Sequence, residues 1–581
     1  MVLVTTAFEE TFPKDRNEEI LFLGEWCKIY SRKNIYEQYS STTLPYHWDD
    51  RKKLYEETKY IDTIYEQYLE ALKESLNKIH GVDFSISYWR IIVGPWLRYF
   101  IEMVYDRYLS IEEASQKNIK YTNTVKIKDE EIASNNMTDF IKLYPSDLWN
   151  QFIYQNILAY FPIKTKQIEI DLSSLVLKKF MISFKDKIKN IFFYFNKFNT
   201  IHFFASYIHS KNRLPLQLSL WQMPTLDTGV YIDFNCTYST LVRDSLLVPK
   251  NESKFDTILT SLIKKQMPKY YLEGYKQFRD EVLRKYPKKA KLIFTANAYS
   301  ADDAFKFWTA EKKEKGAKYI IGQHGGNYGM NLFASHEIHQ IKSSDKFFSW
   351  GWNIKNNNQV LPVAAMKLER QISNNPNGDI LIPLMCMPRY SCHIMAMPIA
   401  GQVLNYFDDQ ASYLELSSEN VKDILKLRVY QQDYGWSFKE RFMEKGFGNL
   451  IDSDTNLKKS FYSRLTECRL CIATYNATTY LETFSANYPT LLYWNPLHWE
   501  LREEAKPYFD LLERAEILHY TAESLVKKLE EIYEHPFFWW SQKNVQAAKD
   551  EFCSRYARTS ENWADEWVKE FNRTLEKDAR R

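Results

Sequence analysis

Between residues 290 and 326 the chain carries the pattern that most restricts what it can fold into. Ala290-Lys291-Leu292-Ile293-Phe294-Thr295 has the character of a buried strand. Ser300-Ala301-Asp302-Asp303 then opens a helical stretch to about 315, with the two aspartates as N-terminal helix charges. Lys318-Tyr319-Ile320-Ile321-Gly322 is a second buried strand, closing on Gln323-His324-Gly325-Gly326. Strand, helix and strand in that order form a parallel βαβ unit, which commits the chain to α/β layers.

A second series begins near 378. Strands are expected over 379–384, 425–430, 469–473 and 490–494, with helices around 396–409 and 479–487. Towards the N-terminus, 1–6 and 20–23 read as strands, the second ending at Gly24-Glu25-Trp26. Helical periodicity covers 52–80, 88–109, roughly 254–286 and 541–576. Residues 110–180 read as an insertion, and 186–250 as a weakly marked pair of strands. The asparagine run 356–358 lies in a polar inter-domain stretch over roughly 345–378. A chain of 581 residues holds two or three domains.

Charge narrows the partners. The 77 Lys and Arg face 74 Asp and Glu, spread without a basic stripe, so no nucleic-acid partner is expected. Seven cysteines without framework spacing suit a reducing compartment. The pair Cys468-Arg469-Leu470-Cys471 lies in a buried strand and reads as core thiols rather than half a zinc site. The N-terminus lacks the features of a signal peptide, and no apolar run reaches the ~20 residues of a membrane span. The expected location is the cytoplasm, with peripheral contact at the inner face of the membrane left open. No G-x-G-x-x-G, Walker loop, G-x-S-x-G elbow or paired metal-ligand motif occurs.

In open α/β sheets ligands bind beyond the carboxyl ends of the strands. Four polar clusters fall there, after Gly24, Gly322, Leu384 and Ala473. In the second, Gly325 and Gly326 let a ligand approach the backbone beside Gln323 and His324. The imidazole suits a base, an acid or a phosphate contact, and equally a structural turn. In Thr474-Tyr475-Asn476-Ala477-Thr478-Thr479-Tyr480-Leu481-Glu482, the Asn476, Thr478 and Thr479 groups at a helix start suit phosphate, and Glu482 suits sugar hydroxyls. Thr479-x-x-Glu482 is also a capping box. Arg389 and Arg428 offer guanidinium groups to a phosphate or carboxylate, with ion pairing as the alternative. Asp433 is either a ligand group or a turn former. Glu25 and Asp50 are the candidate base or nucleophile. His47, Trp48, Asp49, Arg51 and Arg90 are assigned to the acceptor. Asp452-Ser453-Asp454 is set aside as a metal motif because no apolar strand precedes it.

Several stretches together resemble a family of transferases encoded in bacterial O-antigen and capsule clusters. They are 322–329, Ser344-Asp345-Lys346-Phe347-Phe348-Ser349-Trp350-Gly351-Trp352, Leu44-Pro45-Tyr46-His47-Trp48-Asp49-Asp50-Arg51, Tyr88-Trp89-Arg90-Ile91-Ile92-Val93-Gly94-Pro95-Trp96 and 474–482. The resemblance spans nearly the whole chain. It implies a GT-B-like α/β fold, with two Rossmann-like domains facing across a cleft. An acceptor-side domain would cover 1–345 with its insertion at about 110–250, and a nucleotide-sugar donor domain 378–550. A terminal helix over 551–581 would pack back with Trp563, Trp567 and Phe571. It further implies a metal-free glycosyltransferase without a cofactor, acting on a nucleotide-activated sugar and an oligosaccharide or lipid-linked glycan. Related capsule enzymes use CMP-linked Kdo or pseudaminic acid. The alternatives are a polyol-phosphate transferase of CDP-glycerol type and a non-catalytic polysaccharide-binding or assembly protein.

Overall fold

Strand runs too short and too apolar to stand alone pair here in parallel, and each parallel step needs a crossover that covers one face of the sheet. The computed structural model describes residues 1–170, 193–230, 232, 234–247, 249, 253–368, 371–454 and 458–576. Within them three sheets of five parallel strands form. The first comprises β1 (Val2–Val4), β2 (Ile20–Phe22), β3 (Ser41–Thr43), β4 (Tyr121–Val125) and β5 (Thr165–Ile168), in the order 3-2-1-4-5. The second comprises β6 (Ile201–Phe204), β7 (Leu292–Thr295), β8 (Lys318–Gly322), β9 (Lys346–Ser349) and β10 (Val360–Pro362), in simple sequence. The third comprises β11 (Asp379–Pro383), β12 (Leu425–Arg428), β13 (Cys468–Ala473), β14 (Thr490–Tyr493) and β15 (Leu518–His519), in the order 12-11-13-14-15.

The fold is thus the expected GT-B-like α/β class, with one more sheet than anticipated. Residues 1–345 hold the whole first sheet and β6 to β8 of the second, and strands of both sheets lie within 110–250. β4 and β5 complete the first sheet and β6 opens the second. Both early strands lack an apolar run: β4 is Tyr-Thr-Asn-Thr-Val, and β5 is an exposed edge. Likewise 345–378 is not a plain linker, because β9 and β10 lie within it. The helices expected over 88–109 and 254–286 each break in two, at Gly94-Pro95 and Met267-Pro268, where proline removes a helical donor. The parts of these expectations at 171–192 and 577–581 lie outside the described residues.

The helix Trp563–Glu576 lays Trp563, Trp567 and Phe571 on the second sheet, against Phe203, Phe294 and Phe348. Trp567 Nε1 donates to the Ala364 carbonyl at 3.1 Å. Cys468 and Cys471 are buried free thiols in β13.

Buried polar bolts join the first sheet and its helices to the third. Arg389 Nη2 meets Asp147 Oδ2 at 2.8 Å, Nε donates to the Tyr434 carbonyl at 2.8 Å, and Nη1 donates to the Trp26 carbonyl. Arg51 grips both carboxylate oxygens of Glu500, at 2.7 and 2.9 Å, and donates to Gln402 Oε1 at 2.9 Å. Arg107 reaches the Ser391 carbonyl at 2.6 Å. Removing one partner of such a pair strands a desolvated charge and costs about 3–5 kcal/mol. Arg389→Ala is therefore expected to lower the melting temperature sharply, and the double change Arg389→Met with Asp147→Leu to restore much of it. A melting series on these variants checks this.

Candidate active site

Two strand ends meet where the second sheet faces the third. β8 ends at Gly322 and runs into Gln323-His324-Gly325-Gly326, while β13 ends at Ala473 and runs into the helix Thr478–Ser485. In the third sheet the strand order switches direction between β11 and β13, the place where open α/β sheets hold ligands. Gly326 lies flat on that helix start: a Cβ there would come within 2.1 Å of the Ala477 carbonyl carbon and 2.5 Å of Thr478 N. Its N–H donates to Thr478 Oγ1 at 2.8 Å. The capping box expected from Thr479 and Glu482 does not form. The helix starts one residue earlier, Ala477 occupies the N-cap, and no side chain caps it. Thr479 instead bonds the Tyr475 hydroxyl at 2.6 Å.

His324 is partly open, yet enclosed by aromatic rings. The centroids of Tyr207, Tyr299 and Tyr328 lie 6.1, 6.2 and 5.5 Å from its own. Burial pushes its pKa down to about 4, helped by the Lys367 charge and opposed by a hydrogen bond with the Ala296 carbonyl. The ring is therefore neutral at pH 7. The Tyr328 hydroxyl and His324 Nδ1 share a hydrogen bond at 3.1 Å, and the Gln340 amide donates to the same Tyr328 oxygen at 2.7 Å. Charge comes from Lys367, whose Nζ donates to the His324 carbonyl at 2.9 Å, sits 3.9 Å from Glu482 Oε1 and lies over the Tyr207 ring. His336 packs on Tyr328 at 4.8 Å and His393 near Tyr99 at 5.8 Å. Both have pKa values lowered by burial, and both stay partly open.

A cleft of about 560 Å³ adjoins this turn, bounded by Tyr207, His209, Lys211, Lys367 and Tyr462. Tyr207 holds a left-handed backbone (φ 59°), as do Ala205 (φ 43°) just after β6 and Asn327 (φ 67°) just after the glycines. Strained backbone of this kind persists where surrounding structure holds it, and it gathers at functional sites.

The other sequence candidates are placed as follows. Gln323 is buried; its Oε1 accepts from the Trp350 N–H and Trp352 Nε1 at 3.0 and 2.8 Å, and its Nε2 donates to the Gly325 carbonyl at 2.8 Å. Asn476 is fully buried between Asn331 and the Tyr480 hydroxyl. Arg389 and Arg51 are the bolts already described. Arg90 pairs with both oxygens of Glu66, whose pKa falls to about 2, burial opposing and the Arg90 and Lys342 bonds lowering it. Arg428 donates to the Lys459 carbonyl at 2.7 Å. Asp433 accepts from the Gly435 N–H at 2.9 Å and acts as a turn former. Asp50 caps the helix Arg51–His80 through the Lys52 and Lys53 N–H groups. Asp49 accepts from Gln402 at 3.1 Å, and Trp48 donates to Glu57 at 2.6 Å. His47 Nε2 lies 3.3 Å from Asp106. Glu25 pairs with Lys28 at 2.8 Å and packs by Gly401. The structure thus gathers His324, Gly325, Gly326, Thr478 and Glu482 in one place, and gives neither Glu25 nor Asp50 a described contact with them. Lys367, Tyr207, Tyr299, Tyr328, His336 and His393 join the site without having been singled out. Of these, Tyr328 lay inside the stretch 322–329, and His393 inside the stretch 386–393 expected to bind the donor.

A parallel α/β scaffold with polar loops gathered at strand carboxyl ends is an arrangement that holds ligands. The model of the LIC12162 family transferases matches residues 1–571, and the chain belongs to that family. No curated protein matches it.

The histidines make folding sensitive to acid. Burial lowers the pKa of His80, His202, His324, His336, His339, His393, His498 and His519. An unfolded chain protonates each near 6.5, whereas the folded chain does not until about 4 for His324. Below pH 6.5 the unfolded state binds more protons, so stability falls as pH drops, by up to about 1.4 kcal/mol per unit for each group. Melting temperature is expected to fall steeply between pH 6.5 and 4.5 and to vary little between 7 and 8.

Proposed function

We propose that this transferase is a glycosyltransferase that moves a sugar from a nucleotide donor onto a surface-polysaccharide acceptor. The observation that carries the proposal is the docking of Gly326 on Ala477–Thr478, which brings a helix start without a side-chain cap, a neutral histidine, a lysine and a carboxylate together. Uncapped N–H groups favour an anion, and Lys367 adds the full charge that His324 lacks at neutral pH. An acceptor hydroxyl attacks the anomeric carbon, the bond to the donor phosphate oxygen breaks, and the hydroxyl proton passes to a carboxylate. Glu482 is the carboxylate beside Lys367. In the finer form of the proposal, the donor is a CMP-linked nonulosonic acid such as pseudaminic acid or Kdo, whose single phosphate and sugar carboxylate suit a helix start plus one cation. The acceptor is then an oligosaccharide or lipid-linked glycan, and catalysis needs neither metal nor cofactor.

Thermal stabilisation by CMP, UDP, GDP, dTDP and CDP tests this. A nucleotide at 100 times its Kd adds about 2.7 kcal/mol, and Lys367→Ala is expected to weaken the effective nucleotide at least tenfold. Stabilisation by UDP without CMP overturns the nonulosonic donor. Stabilisation by none overturns the donor site, and turnover of CDP-glycerol in place of a sugar nucleotide overturns glycosyl transfer.

A further inference from the structure

Beside the cleft the helix Ser210–Ser219 continues into a face that no other described segment covers. Leu214 and Leu218, one turn apart, stand out of its far half, and Trp221 follows at 94% exposure in a left-handed backbone (φ 57°). Hydrogen bonds build a single surface from the loops behind it. Gln217 holds Thr225 through two bonds of 3.0 and 3.2 Å, which places Leu226 beside the helix. Asn199 and the Met223 backbone bond reciprocally at 2.7 and 2.8 Å, which brings in Phe198. Phe198 and Leu218 are each 60% exposed. Scattered single apolar residues are ordinary on a protein surface, whereas a contiguous exposed cluster of this kind marks an interaction site.

Charge selects the partner. From residue 193 to 226 the chain contains no Asp or Glu, while Lys197 lies over the Phe198 ring at 5.0 Å and Lys211 stands exposed at the start of the helix. Exposed aromatic and aliphatic side chains on a stretch that carries lysines and no acid complement an anionic lipid surface, where tryptophan seats at the headgroup level. No helix among the described residues is long and apolar enough to cross a membrane. We infer that the face around Trp221 docks peripherally on an anionic bilayer. The first turn of the same helix supplies Lys211 to the cleft beside His324, so Leu218 lies only about 10 Å further along the helix. Docking there presents the cleft to the membrane plane.

Co-sedimentation of the full chain with vesicles of phosphatidylcholine alone, or mixed with phosphatidylglycerol, tests this independently of any nucleotide. Binding is expected to the mixed vesicles, to weaken at high salt, and to fall at least tenfold in Trp221→Glu. Phe538→Glu, at another exposed aromatic, should bind like the parent. Absence of binding to the mixed vesicles, or undiminished binding by Trp221→Glu, overturns the inference. So does a concentration-dependent dimer that Trp221→Glu dissolves without any vesicle binding, because the face would then belong to a second copy. A nucleotide-silent protein that still binds vesicles would count against the donor site alone.

Discussion

The contact between Gly326 and the Ala477–Thr478 peptide is the constraint on which the rest of the site depends. It is backbone against backbone, with a single N–H to hydroxyl bond across it. Any Cβ at Gly326 would push the second sheet away from the third. Around it the packing is equally close: Asn331 bonds Asn476 at 3.2 Å, and Arg502 ties Glu337 at 2.6 Å. Gly329, in a left-handed backbone (φ 70°), leaves room for Trp352. The chemistry of the recess, a neutral imidazole beside a lysine and a helix start, follows from holding those two strand ends at that separation.

Buried arginines set the remaining geometry. Arg51, Arg389 and Arg107 each reach from one block of the chain into another and end on carbonyls, amides or carboxylates. Such pairs do little for net stability relative to apolar packing, but a misplaced partner is costly, so they favour one relative placement of the sheets. Arg51 and Arg389, two of the guanidinium groups expected at a ligand, make these bonds between blocks of the chain. That leaves Lys367, half-exposed and outside any strand, as the cation beside His324.

Much of the architecture was legible in the sequence because buried parallel strands announce themselves as apolar runs. β7, β8, β11, β13 and β14 lie where such runs predict them. β4 escaped because Thr122, Asn123 and Thr124 make it polar, β5 because it is an exposed edge, and β15 because two residues carry no periodicity. The glycine pair pointed to the right loop, and the strand-to-helix passage at 474–482 to its neighbour. Their direct contact was not legible, since no local pattern encodes which two loops meet. Lys367 and Tyr207 were missed for the same reason: one sits in a stretch that looked like a linker, and the other is defined by a left-handed backbone rather than by its neighbours in sequence.

Hydrogen exchange on Gly326→Ala, with Gly325→Ala as its reference, tests the central claim most directly. A Cβ at Gly325 meets only the Thr478 hydroxyl, at 3.2 Å, whereas one at Gly326 meets the peptide itself. Overpacking of this kind costs about 1–3 kcal/mol. The account predicts that Gly326→Ala speeds exchange in 323–329 and in the helix Thr478–Ser485 together, while Gly325→Ala leaves both close to the parent. Faster exchange confined to 323–329, with Thr478–Ser485 unchanged, would contradict it.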